Sequence, residues 1–287
     1  MGLEPTLELY IDHLLQIVAE LKRILKKGGI LFWNHGDSYA SSGSKRFDNN
    51  KYGGKSGIHC GRARTNEYQP KCMLLQNFRL ITEMIDEQGW ILRNTIIWHK
   101  SNPMPSSVKD RLSNTYEPVF VLVKSQKYYF DLDAIRQPMK NPGDVWTLST
   151  QPFKRAHFAT FPEKLVKPMI KAGCPQWICK KCGKVRERII KHPPVEKSIG
   201  ATSGQYWKVR NFKGDNTVRY RGEFIGWTDC NCQVGFEPGI VLDPFSGAGT
   251  TCLVAKKLGR NYIGIEKNPD YVKMAQARIK KDCGELF

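Results

Sequence analysis

A chain of 287 residues that is 40 % hydrophobic and 11 % aromatic can bury a sizeable core, which excludes an intrinsically disordered protein. Its formal net charge of +18 exceeds what a small-molecule enzyme needs and suits the phosphates of a nucleic acid, with a merely solvated basic surface as the plainer alternative. No apolar run approaches a membrane span and Met1 is followed by GLEPT rather than a leader, so no membrane partner and a cytoplasmic location are expected, with the nine cysteines as thiols or metal ligands rather than disulfides.

In chain order, residues 5–27 place Leu7, Ile11, Leu14, Leu15, Val18, Leu21 and Leu25 on one face of a helix that ends in lysines and Gly28–Gly29. ILFW (30–33) predicts a buried strand running into NHGDSYA. There Asp37 either contacts a cofactor or target base, or closes an Asx turn that caps the strand. Residues 40–70, rich in Gly, Ser, Asn and Arg, predict a long loop; Arg46, Arg62 and Arg64 make it a candidate for DNA recognition. A second amphipathic helix is predicted over 72–88. Strands follow over 90–100 and 117–125, with a Pro- and Ser-rich loop between them, then a helix over 161–173. Beyond the compositionally distinct stretch 174–239 come a strand at 240–243, a helix at 250–258, a strand YIGIE at 262–266 and a helix at 269–281. Helices alternating with short β-rich runs predict an α/β fold with a mainly parallel sheet, divided as 1–173, 174–239 and 240–287.

The middle stretch holds two close cysteine pairs, CKKC (Cys179, Cys182) and CNC (Cys230, Cys232). Tight turns of this kind can converge on one tetrahedral Zn2+ in a ribbon. A redox Cys-x-x-Cys and free thiols are the alternatives, and Cys174 is a possible substitute ligand. Cys60, Cys72, Cys252 and Cys283 read as ordinary thiols. Residues 179–221 carry twelve Lys or Arg against three acids, a net of +9. In 206–221 the bases Lys208, Arg210, Arg219 and Arg221 interleave with Tyr206, Trp207, Phe212 and Tyr220. That is a nucleic-acid pattern, unless the segment is a solvated loop.

IVLDPFSGAGTT (240–251) reads as a strand, a tight glycine turn and a helix start. Ligands of open α/β sheets sit beyond the carboxyl ends of the strands, where Asp243 stands. Gly247 and Gly249 allow close backbone approach. Glu266, about twenty residues on, ends the next strand and suits two ribose hydroxyls. The loop lacks a Walker lysine, which argues against a triphosphate. The spacing alone leaves S-adenosylmethionine, a dinucleotide and a purely structural turn open.

DPFSGAGTT with GIEKNPDYVKMAQARI, preceded by VWTLSTQPFKRAHFATFPEKL and IIWHKSNPMPSSVKDR, resembles the amino-directed DNA methyltransferases, which act on N4 of cytosine or N6 of adenine. The resemblance spans nearly the whole chain outside 40–70 and 174–239. It implies a Rossmann-like, S-adenosylmethionine-dependent methyltransferase sheet in the permuted (beta) order, catalytic half first, with the cysteine-rich stretch as a small zinc-ribbon-like insertion. It also implies double-stranded DNA as partner and a restriction-modification setting with a possible endonuclease. Asp243, Phe245, Gly247, Gly249 and Thr250 match the family's cofactor loop and Glu266 its ribose acid. His157, Phe161 and Pro162 match the segment over the methionine end.

The family's catalytic (Ser/Asp/Asn)-Pro-Pro-aromatic tetrapeptide has no match. The chain's one Pro-Pro lies in KHPPVE (191–196), with Val195 where the aromatic belongs. An exocyclic amine is a poor nucleophile until its hydrogens are held and its base is stacked, so the tetrapeptide cannot be dispensed with. It is expected upstream of Met1, together with the third and fourth strands of the seven that the resemblance implies. The expectation is a truncated copy, a late start, or a second polypeptide that supplies the segment. A non-catalytic DNA- or cofactor-binding subunit of a split methyltransferase and an RNA amino-methyltransferase are the alternatives. Cytosine N4 is slightly favoured over adenine N6.

Overall fold

The structure is a computed structural model that describes residues 2, 4–40, 68–136, 140–151, 161–191 and 223–284. It falls into two compact units. One comprises Met1–Tyr128 with Asp144–Ser149, the other Tyr129–Gly143 with Thr150–Phe287.

In the first unit, helix α1 (Leu7–Ile24) starts where the Thr6 side chain accepts from the Leu9 N–H at 3.2 Å and ends where Leu25 turns extended. Its face Leu7, Ile11, Leu14, Val18 and Leu21 is buried, and it packs against α2 (Gln76–Asp86), which buries Leu80, Ile81 and Met84. The sheet is formed by β1 (Ile30–Asn34), β2 (Ile91–His99), β3 (Tyr116–Val123) and β4 (Val145–Thr147), in the order β1–β3–β2–β4. Val119–Val123 of β3 is buried throughout, as an inner strand flanked on both edges should be.

Within this sheet β1, β2 and β4 share one direction and β3 alone is reversed. β3 runs antiparallel to both β1 and β2, and only β2–β4 is parallel. The reason lies in the connection. Parallel neighbours need a crossover, commonly a helix, whereas β2 and β3 are joined by the 100–115 loop, which has no helix among its described residues. Lys100 N–H to Thr115 O at 2.8 Å closes its base.

In the second unit, α3 (Glu163–Gly173) precedes a small β module of β5 (Ile178–Cys179), β6 (Arg188–Lys191), β7 (Glu223–Trp227) and β8 (Phe236–Glu237). β5 pairs with β8 and β6 with β7, both antiparallel. The chain then forms β9 (Ile240–Asp243), α4 (Thr250–Lys257), β10 (Asn261–Gly264) and α5 (Pro269–Cys283), with β9 and β10 parallel. Val166 and Ile170 of α3 pack on Val254 and Ala255 of α4, over Val241 and Tyr262. Cys252 and Leu253 meet Ile279 of α5. Arg260 is buried and donates to the Cys174 carbonyl, tying the end of α3 to the start of β10.

Among the described residues, β9 pairs only with β10 and β1 only with β3. Ile240, Ile263 and Ile265 on or beside the parallel pair are half exposed or more. No helix of the described residues is long and apolar enough to cross a membrane.

Candidate cofactor site

Strand β9 ends at Asp243, whose carboxylate accepts the Phe245 N–H at 3.0 Å and so shapes the first bend of the loop. Ser246 N–H donates to Ile265 O and Gly249 N–H to Ser246 O, at 2.9 and 2.8 Å. Gly247 (φ +48°) and Gly249 (φ +73°) adopt the left-handed conformation that disfavours side chains. A Cβ on Gly249 would lie 2.6 Å from Ala275 Cβ of α5, so this glycine also lets a helix close on the loop.

Glu266 faces the same loop. One carboxylate oxygen accepts the Gly247 N–H at 2.9 Å and the other the Asn268 N–H at 2.8 Å. Each carboxylate oxygen can accept a second bond, so the acid can hold the loop and still take hydroxyl donors from a ligand. Thr250 is buried, and its hydroxyl accepts from Arg278 at 2.9 Å. Phe245 is half exposed. Pro162 is buried as the residue that starts α3, and Phe161 packs against the α3–α4 core. His157 lies outside the described residues, as do Arg46, Arg62, Arg64, Lys208, Arg210, Arg219 and Arg221.

Two supports were missed in the sequence. Arg278 reaches from α5 to the Ala248 carbonyl, the Thr250 hydroxyl and the Glu163 carboxylate, which Lys257 also meets at 3.0 Å. A cation near the end of an amphipathic helix looks like a solvated charge, and nothing local marks it. Gly264 leaves no room for a Cβ, which would lie 2.7 Å from both Cys252 Sγ and Ser246 Oγ. A glycine inside a strand is the available signal of such close approach.

In the first unit, Asp37 accepts N–H groups from Ser38 and Gln76 on one oxygen and from Leu75 on the other, at 2.8 to 3.1 Å. It therefore anchors the start of α2. Beside it, partly buried His35 bonds Tyr10 Oη at 3.1 Å, and burial lowers its pKa to about 4.

The sulfurs of Cys179, Cys182, Cys230 and Cys232 all lie within 4.8 Å of one another. Backbone N–H groups of Cys182 and Lys181 bond the Cys179 sulfur and pull that thiol down to about 6. Cys174, the possible substitute ligand, lies instead against Gly239 and Pro175.

A parallel strand pair, a glycine turn at its carboxyl end and an acid just past the second strand form the arrangement at which open α/β sheets bind nucleoside-bearing cofactors. The comparisons narrow that class. Residues 2–177 and 235–277 match the family model described as DNA methylase, of the N6/N4 type. The chain is 31 % identical to the Type II methyltransferase M.XycI of Xanthomonas campestris pv. cyanopsidis and 32 % to M.Cfr9I of Citrobacter freundii. In both cases the match covers 98 % of the chain and 74 % of the relative. Among solved structures, the cytosine-N4-specific PvuII DNA methyltransferase superposes with a TM-score of 0.58 at 18 % identity, over 94 % of this chain and 70 % of that one. A Thermus thermophilus protein described as a putative DNA modification methylase, complexed with S-adenosyl-L-methionine, gives 0.52 at 17 %, over 97 % and 80 %. The chain belongs to the DNA methylase family of N6- and N4-amino methyltransferases.

Proposed function

We propose that the protein takes part in methyl transfer from S-adenosylmethionine to an exocyclic amino group of a base in duplex DNA, as the methyltransferase of a restriction-modification pair. The observation that carries this reading is the Asp243–glycine loop–Glu266 arrangement inside the region matched by the family. Glu266 would accept the ribose hydroxyls, and the tight turn at Gly247 and Gly249 would let backbone approach the cofactor. Asp243 would set the loop that receives it. The cofactor supplies a methyl group on a sulfonium centre, and the chain's own residues position it. Of the two acceptors we favour cytosine N4, the one named for the PvuII enzyme. A zinc ion on the four clustered cysteines would be structural and apart from this chemistry.

The amine-holding tetrapeptide does not occur in these 287 residues. We propose that it comes from polypeptide outside them, and that the same polypeptide pairs with the edge of β9 or β1 that has no partner strand among the described residues. Label transfer from tritiated cofactor to mixed-sequence duplex DNA tests this, with the 287-residue chain assayed alone and with a segment bearing the tetrapeptide. Transfer only with the segment is expected, and nuclease digestion with mass spectrometry of the nucleosides identifies the base. Robust transfer by the 287 residues alone would overturn the need for the segment. Label accepted by RNA but not DNA would overturn the substrate.

A further inference from the structure

We propose that Cys179, Cys182, Cys230 and Cys232 bind one zinc ion as a closed tetrathiolate site, and that this metal rather than an apolar core holds the β5–β8 module together. The inference deepens the structural-zinc reading above but stands on the four sulfurs, independently of methyl transfer.

Geometry comes first. A tetrahedral site with zinc–sulfur bonds of about 2.3 Å has sulfur–sulfur edges of about 3.8 Å. The four sulfurs already lie within 4.8 Å of one another, so a contraction of less than the width of an atom closes the site. Each pair sits on a turn shaped for it. Gly183 follows Cys182 with φ +69° and donates its N–H to Cys179 O at 3.0 Å. Across the module, Gln233 (φ +52°) and Gly235 (φ +80°) turn the chain back toward β8, and Lys180 N–H bonds Gly235 O at 3.3 Å. Backbone N–H groups also point at sulfur, from Cys182 and Lys181 to Cys179 and from Cys232 to Cys230.

The chemistry of the donors selects the ion. Four soft thiolates favour zinc over calcium or magnesium. Four protein ligands fill a tetrahedral shell and leave no open position for a substrate, so the site is structural. Each thiol that binds gives its proton to solvent, and the resulting complex of four thiolates and one divalent ion carries two negative charges. Lys180, Lys181 and Lys184 stand on the knuckle that would carry them.

The module also needs a staple. β5 and β8 are two residues each. Among its described apolar side chains only Ile178 and Cys179 are fully buried; Val185, Ile190, Trp227 and Phe236 are half-buried, and Ile189, Phe224, Ile225 and Val234 are exposed. Burial on this scale cannot hold four strands in register, and small modules with little core rely on metals or disulfides. The match to the family stops at residue 177 and resumes at 235, so all four cysteines belong to this stretch alone.

The test is elemental analysis of the 287-residue protein purified without chelator, with one zinc per chain expected. Cys232→Ser should lose the metal and Cys72→Ser, outside the cluster, should keep it. Cobalt substituted for zinc in the unaltered protein should show the intense visible bands of tetrahedral thiolate coordination, a readout that does not depend on a variant folding. Removal of the metal should speed amide exchange in 178–191 and 223–237 by more than about tenfold, with α4 unchanged. Four free thiols and no metal, two disulfides found by mass spectrometry, stoichiometric iron, or full zinc in Cys232→Ser would each overturn the site. Unchanged exchange after metal removal would overturn the staple. None of these outcomes touches the methyl-transfer reading, which fails or stands on the label assay.

Discussion

Replacing Glu266 tests the cofactor site where it is most specific. In the fold its carboxylate holds two backbone N–H groups, those of Gly247 and Asn268. Glu266→Ala therefore removes the proposed ribose acceptors and loosens the loop at once. Hydrogen bonds to a charged group contribute about 1.5–3 kcal/mol, and every 1.4 kcal/mol or so is a factor of ten in affinity. S-adenosylmethionine should bind the variant roughly 10- to 100-fold more weakly by titration calorimetry. A cycle separates the two roles. The unaltered protein should bind a cofactor analogue lacking both ribose hydroxyls far more weakly than the parent, whereas Glu266→Ala should bind the two alike, because the coupling between acid and hydroxyls is gone. A loop-only role would lower affinity for both ligands equally in the variant and leave their ratio unchanged. Wild-type affinity in Glu266→Ala, or full discrimination against the analogue in that variant, would refute the assignment.

Gly249→Ala forces a Cβ to within 2.6 Å of Ala275 at φ +73°, and urea unfolding should show a loss of about 1–3 kcal/mol. Asp37→Ala removes the acceptor at the start of α2 and should cost about 0.5–2 kcal/mol; an accompanying drop in cofactor or DNA affinity beyond tenfold would show ligand contact rather than anchoring alone. His35 titrates in the unfolded chain near 6.5 and in the fold at about 4, because burial disfavours its charged form. Its contribution is thus full above pH 6.5 and lost as pH falls toward 4, roughly 3 kcal/mol in all, and His35→Gln should flatten the acid limb of the stability curve by that amount.

The parts legible in sequence are those whose cause is local. The face of α1, the glycine turn and its acids, and the close cysteine pairs each declare themselves over a few residues. Element ends moved where a single side chain or backbone bond decides them, as Thr6 does for α1. Strand β4 escaped because three residues, VWT, carry no period to read. The reversal of β3 was not read although its cue was present: the loop between β2 and β3 has no helical pattern, and a strand that returns without a crossover returns antiparallel. The supports of the cofactor loop were not legible at all. Arg278 meets Glu163 across 115 positions of chain, and the partners of an ion pair share no spacing rule. Glu266 shows the difference within one residue. Its place past a strand end, beyond a glycine turn, is a matter of spacing and points to a ribose. Its grip on Gly247 depends on two strands lying parallel in the register Gly264 beside Asp243, which only the folded pair creates. The acid that would bind the cofactor therefore also shapes the loop that would receive it, and its substitution cannot report on either role until the ligand's own hydroxyls are varied alongside.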